Sequence, residues 1–214
     1  MIDWQRITRP VATALLCGAI AASLQGCVEL AVGGAAVVGT LAATDRRTLG
    51  AQTEDKAIVL KGESRISNLV NGQGHVNVTS FNRKVLLTGE VKDDQMRTAV
   101  EREAVAIEGV QSVVNELEIM GTTSFTSRSN DSFITAKIKT SFVDAKDLYA
   151  NSIKVTTERG VVYLMGRVTR REGDRAGEVA RGVGGVQKVV KIFEYISEDD
   201  LKQMTKVPEV EERK

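Results

Sequence analysis

Val85-Leu86-Leu87-Thr88-Gly89-Glu90-Val91 and Val162-Tyr163-Leu164-Met165-Gly166-Arg167-Val168 are two versions of one strand, 77 positions apart. Each is β-branched and apolar with a glycine at the fifth position. The same offset carries Val76-Asn77-Val78-Thr79 onto Ile153-Lys154-Val155-Thr156. One residue less carries Gly109-Val110 onto Gly185-Val186, Val113-Val114 onto Val189-Val190, and Leu117 onto Phe193. A one-residue indel reconciles the two offsets. Self-similarity at a fixed period means one supersecondary unit used twice.

Working outward, each copy reads in the same order. The apolar periodicity predicts a helix over 54–70 and over 131–145. Alternating strands follow at 75–80 and 84–91, and at 152–157 and 161–168, joined by the polar turns Asn82-Arg83 and Glu158-Arg159-Gly160. A second helix is expected over 93–107 and 170–182, and a last strand over 111–119 and 187–196. The predicted class is α+β: two tandem αββαβ domains, each a three-stranded mixed sheet covered by two helices. The expected organisation is 1–26 leader, 27–45 lipidated N-terminus and flexible linker, 46–120 first domain, 121–130 polar joint, 131–197 second domain, and 198–214 a charged, disordered tail.

The N-terminal segment reads as an address. Arg6 and Arg9 precede an uncharged run, residues 11–24, which at 14 residues is short of the ~20 that span a bilayer. Leu24-Gln25-Gly26-Cys27 looks like the bacterial lipobox. That resemblance implies cleavage before Cys27 and attachment of lipid to its thiol, an anchor of several acyl chains where one would be marginal. Cys17 falls in the discarded run, so Cys27 has no disulfide partner. By resemblance to lipoprotein sorting signals, Val28 after the cysteine implies passage to the outer membrane.

Composition excludes several functions. The 214 residues carry 29 Lys+Arg against 28 Asp+Glu, a net charge of +1, so bulk attraction to nucleic acid is not the function. One histidine and two cysteines cannot build a usual zinc cluster. Aromatics at 4% argue against a large aromatic-lined cleft. No cofactor motif is present: Gly34, Gly39 and Thr40 lack the lysine of a phosphate-binding loop. No Ser-His-Asp set or paired carboxylates suggest an enzyme. His75 reads as structural. Arg170, Arg171 and Arg175 form a basic cluster at a helix start, either solvated or waiting for an anion or partner.

The strand motifs quoted above, with Gly109-Val110-Gln111-Ser112-Val113-Val114-Asn115, resemble the BON domain. The second copy departs at the end of the last motif, with Lys191 where the first has Asn115. The stretches Ala43-Thr44-Asp45-Arg46-Arg47 and Asn130-Asp131-Ser132-Phe133-Ile134-Thr135 fit as well, so the resemblance covers nearly the whole chain after Cys27. Two such domains behind a lipobox resemble the dual-BON outer-membrane lipoproteins. The resemblance implies no enzyme activity, a periplasm-facing lipid anchor, binding of anionic phospholipid through the second domain, recruitment to the division site, and support of outer-membrane integrity.

The residues themselves point to one helix. With about 100° per residue and Phe133 at 0°, Ile134, Ile138, Phe142 and Ala145 fall between about 100° and 180° and form the core stripe. Phe133 lies about 140° from its centre, with Lys137 one turn along at about 40°, and Thr140 and Val143 also point away from the core. An exposed aromatic beside a lysine is the composition of an interfacial anchor. The first copy has Ala57 for Phe133 and Gly62 for Ile138, while Lys61 matches Lys137. Family members carry Trp at this position; Phe133 keeps the bulk but not the indole N–H. The candidate lipid contact is therefore Phe133, Lys137, Thr140 and Val143, with Lys139 and Arg128 beside them and Phe125 in support. The alternative is a periplasmic adaptor that holds an outer-membrane assembly machine or a cell-wall remodelling enzyme.

Overall fold

The computed structural model describes residues 45–205; Cys27 and the leader lie outside them. Helix α1 (Leu49–Val70) leads into strands β1 (Gly74–Phe81) and β2 (Lys84–Val91), helix α2 (Asp94–Val105) and strand β3 (Ser112–Ile119). The second copy follows as α3 (Phe125–Asp144), a short 3-10 turn (Ala150–Ser152), β4 (Ile153–Glu158), β5 (Val161–Val168), α4 (Arg170–Arg181) and β6 (Lys188–Tyr195). A last helix, α5 (Glu198–Thr205), closes the described chain.

Each sheet is mixed, in the order β1-β2-β3 and β4-β5-β6. The hairpins β1–β2 and β4–β5 are antiparallel; β2–β3 and β5–β6 are parallel, because α2 and α4 are the crossovers between them. The hairpin turns have two consecutive residues at positive φ, Asn82 and Arg83 in one and Arg159 and Gly160 in the other, matching the twist of the flanking strands. The shared strand glycines are required by close approach. A Cβ on Gly89 would stand 2.0 Å from the carbonyl oxygen of His75, and one on Gly166 would stand 2.4 Å from that of Ser152.

Strand alternation gives each sheet two apolar faces. In the first domain Val78, Val85, Leu87, Val91 and Leu117 pack under Ile58, Ile66, Val100 and Ala104 of the helices. In the second, Val155, Val162, Leu164 and Phe193 pack under Ile134, Ile138, Phe142, Ala176 and Ala180. The opposite faces meet each other: Phe81 and Leu86 of the first domain are buried against Tyr163 and Met165 of the second, flanked by Val114 and Ile192. The two modules are thus joined back to back through their sheets. Burying four such side chains contributes about 1.5–3 kcal/mol each, an upper estimate. Desolvation in this layer raises the Tyr163 hydroxyl well above its usual pKa.

Polar bonds tie the edge strands across the joint. Asn77 donates to Glu158 (2.6 Å), Lys154 Nζ to the Ser80 carbonyl (3.2 Å), and the Thr79 and Thr156 hydroxyls are 3.4 Å apart. At the N-terminal end two adjacent arginines divide between the domains. Arg46 forks onto Glu172 of α4 at 2.8 and 2.6 Å and donates to the Arg167 carbonyl. Arg47 bonds Asp45 and Asp55. The Arg46–Glu172 pair is buried, and breaking such a pair by removing one partner costs about 3–5 kcal/mol.

Three expectations change. The segment 121–130 is not all joint, because the Ser124 hydroxyl accepts from the Ser127 amide and starts α3 at Phe125. Residues 198–205 are helical rather than frayed. Ser197 and Asp200 cap each other reciprocally, and Glu198, Asp199 and Asp200 stand in the first turn where the helix dipole favours acids. Ala145 is the C-cap of α3 and half-buried, packed beside the core stripe rather than within it.

Candidate functional site

Helix α3 is held by its inner face. Ile134, Ile138 and Phe142 are sealed in the core, and the buried Asp131 accepts from the Arg159 and Gly160 amides, clamping the helix to the β4–β5 turn. That fixes what the outer face presents. Phe125, Phe133 and Val143 are 79%, 60% and 70% exposed. Phe125 and Val143 are five full turns apart, about 27 Å along the helix at the same azimuth. Between them the stripe carries Ser129, Ser132, Ala136 and Thr140, all exposed and uncharged. The Thr140 hydroxyl donates back to the Ala136 carbonyl, which lowers its demand for water. The result is a long, weakly polar face edged by charge.

The edges differ. Lys137 lies on one side, with its ammonium 4.4 Å from the centre of the Phe133 ring. Lys139 and Arg128 lie on the other, since residues two apart on a helix point nearly opposite ways. The six candidate residues therefore do not form one cluster. Phe133, Lys137, Thr140 and Val143 share the outer face and its rim. Arg128 stands half-buried beside Phe125 and also lines a 560 Å³ cleft between β1 and β4 with His75, Asp131 and Glu158. In that cleft burial and the Arg128 charge hold His75 below its usual pKa, while burial raises the Glu158 carboxyl. Lys139 instead lines a 370 Å³ groove with Arg47, Val143 and Lys154.

Other residues carry weight that their sequence context did not assign. Asp55, 76 positions before Asp131, plays the same part in α1. It accepts from the Ser80 hydroxyl (2.6 Å), the Asn82 and Arg83 amides (2.7 and 2.8 Å) and Arg47 (2.7 Å). Burial raises its carboxyl pKa, and these four donors together pull it below the ordinary value. The repeat offset alone links the two aspartates, because each sits three residues before a core isoleucine, Ile58 or Ile134. The basic cluster on α4 is occupied: Arg170 stacks on Tyr195, Arg171 faces Glu198, and Arg175 pairs with Asp147 and Glu178. Among the described residues no group of side chains could hold a metal ion, and no helix is long and apolar enough to cross a membrane.

The fold and site define a tandem αββαβ protein whose two modules share a sheet-to-sheet joint and differ in one exposed helix face. The BON-domain profile matches residues 63–121 and 130–196, and the chain belongs to the BON-domain family. It is 38% identical to a Haemophilus influenzae protein named outer membrane lipoprotein DolP, over 81% of this chain and 90% of the relative. It is 32% identical to an Actinobacillus pleuropneumoniae protein named 21 kDa hemolysin, over 71% of this chain and 79% of the relative. A solved C-terminal domain of CdsD, a structural protein of the type III secretion system of Chlamydia trachomatis, aligns over 62% of this chain and 96% of its own at a TM-score of 0.28 and 10% identity.

Proposed function

We propose that this BON protein is a non-enzymatic outer-membrane lipoprotein, anchored through lipid on Cys27 and facing the periplasm, whose helix α3 lies on a membrane surface and prefers anionic phospholipid. The observation that carries the reading is the α3 face: Phe125, Phe133 and Val143 exposed along one uncharged stripe about 27 Å long, on a helix pinned from beneath. The name of the Haemophilus relative supports the location. Support of outer-membrane integrity and a role at the division site follow from the family resemblance and belong to the same proposal.

The energetics suit a tethered contact. Partial insertion of two phenylalanines and a valine contributes about 3–5 kcal/mol, and lysines near an anionic surface about 1 kcal/mol each. A free protein would bind in the millimolar to tens-of-micromolar range, about 4–7 kcal/mol. An anchor that keeps the domain at the membrane makes such weak contacts effective, and small differences between headgroups then sort the protein laterally. Lys137 over the Phe133 ring keeps a cation at headgroup depth while the ring inserts.

The test is photo-crosslinking in cells with a probe at position 133 of the full chain. Lipid adducts at 133 support membrane contact. Protein adducts at 133 favour the adaptor reading instead. In vesicles of phosphatidylglycerol, Phe133→Ala weakens the α3 contact about tenfold, read as loss of bilayer quenching of a fluorophore on α3.

A further inference from the structure

A groove runs along the edge of the molecule where β1 and β4 face each other, with α1 on one wall and α3 on the other. Its two cavities, of about 370 and 420 Å³, share Arg47 and Lys154 on their linings. One continues to Lys139 and Val143 of α3, the other to Lys56 and Leu60 of α1. Val143 and Leu60 are 70% and 69% exposed, so both walls end in uncovered apolar side chains.

The charges are not balanced from within. Arg47 is satisfied by Asp45 and Asp55. Lys154 is half-buried, and its one hydrogen bond goes to the neutral Ser80 carbonyl, leaving two ammonium protons without a protein acceptor. Lys139 has neither a hydrogen bond nor an ion pair within the described residues. Four cations (Arg47, Lys56, Lys139 and Lys154) stand against two carboxylates. Desolvation and the nearby Arg47 charge hold the Lys154 amine below its ordinary pKa, with Lys139 adding to the effect and Asp55 and Asp45 opposing it. A partly desolvated cation among like charges is stabilised by an incoming anion.

From this geometry we infer that the groove seats the phosphodiester of a membrane lipid, with Lys154 and Lys139 on the phosphate oxygens and the acyl chains running out over Val143 onto the α3 face. The inference rests on the membrane reading of α3 and adds to it the origin of headgroup selectivity. A headgroup whose only charge is the phosphate fits a groove of net positive charge. One that carries its own ammonium beside the phosphate is repelled by the same lysines. The first domain, through Arg47, Phe81 and Leu60, is then part of the lipid site although its own first helix lacks the aromatic.

The experiment uses the full chain in micelles of an uncharged maltoside detergent. It is titrated with dihexanoyl phosphatidylglycerol, dihexanoyl phosphatidylcholine and chain-free glycerophosphoglycerol, with amide shifts of α3 and β4 as readout. The chain prefers phosphatidylglycerol about tenfold. Lys154→Gln and, separately, the exposed Lys139→Gln each bring that preference down toward unity, while Lys154→Arg retains it. Phe133→Ala weakens both lipids equally and keeps the ratio. A preference unchanged in both glutamine variants, in proteins with native amide dispersion, overturns the groove and leaves the α3 contact standing. A preference lost in the glutamine variants with Phe133→Ala silent supports the groove and overturns the α3 contact. Glycerophosphoglycerol bound as tightly as the lipid, or no binding of any of the three, overturns the assignment to a membrane lipid.

Discussion

Helices α1 and α3 occupy equivalent places in two copies of one fold, and they have diverged on opposite principles inside and out. Inside, Ile58 and Ile134 do the same work, but Gly62 stands where Ile138 does and Ile66 where Phe142 does. Outside, α1 also uncovers Leu49 and Leu60, but Lys56 stands between them and Lys61–Glu108 and Arg65–Glu103 pairs lie beside them, whereas the α3 stripe carries no charge between Phe125, Phe133 and Val143. The core tolerates these differences because each helix is clamped by its own buried aspartate. The surface of α3 is thereby free to lose the polar residues that a helix held by its surface would need.

The aspartate clamps give the sharpest way to break this comparison. Asp55→Ala orphans two turn amides, the Ser80 hydroxyl and one arm of Arg47, and lowers unfolding stability by about 3–5 kcal/mol; Asp131→Ala orphans two amides and costs about 2–3 kcal/mol. Urea titration of both variants checks the ranking. Because the folded Asp55 carboxyl titrates below its unfolded value, its contribution is fully present above about pH 4 and fades as pH falls through the folded pKa. The gap between wild type and Asp55→Ala should therefore narrow in acid. An equal cost for the two variants would show the clamps to be interchangeable, and a gap constant with pH would show that the Asp55 charge contributes nothing.

The next effect concerns the cores. A Cβ at Gly62 already stands 3.0 Å from Val78 Cγ1 and 3.3 Å from Ile107 Cδ1. Copying the second module's residue in, Gly62→Ile, costs about 1–3 kcal/mol by overpacking, despite the better helix propensity of isoleucine. A thermal melt no lower than wild type would mean that α1 can shift outward to the spacing of α3. The smallest effect is at the surface. Ala57→Phe gives α1 its missing aromatic, yet should change vesicle partitioning less than threefold, because Ser67 stands where Val143 does and Glu108 already pairs the lysine one turn along, Lys61. Partitioning that rises tenfold would show that one ring suffices and that the remainder of the α3 stripe contributes nothing.

Most of the fold was legible because repetition amplifies weak signals. The strand pairs and crossover helices each appear twice at a constant offset, and the helical wheel that buries Ile134, Ile138 and Phe142 also exposes Phe133. Caps were harder to read. Ser124 and Ser197 set helix starts that polar composition disguised as a joint and a tail, since the residues of a loop and of an N-cap are the same. The groove was invisible for another reason. Lys154 alternates innocently on an edge strand and Lys139 on a solvated flank. Only the back-to-back joining of the sheets, which no periodicity encodes, brings them to Arg47.

Arg46 and Arg47 are neighbours on the chain, yet each is sunk into a different module, immediately after the segment that runs back toward Cys27. Two ion pairs, Arg46–Glu172 and Arg47–Asp55, thus hold one short stretch of chain to both modules at once. With the chain anchored at Cys27 as proposed, a load arriving at Arg46 and Arg47 is shared between both modules, like a weight slung from a bolt through both halves.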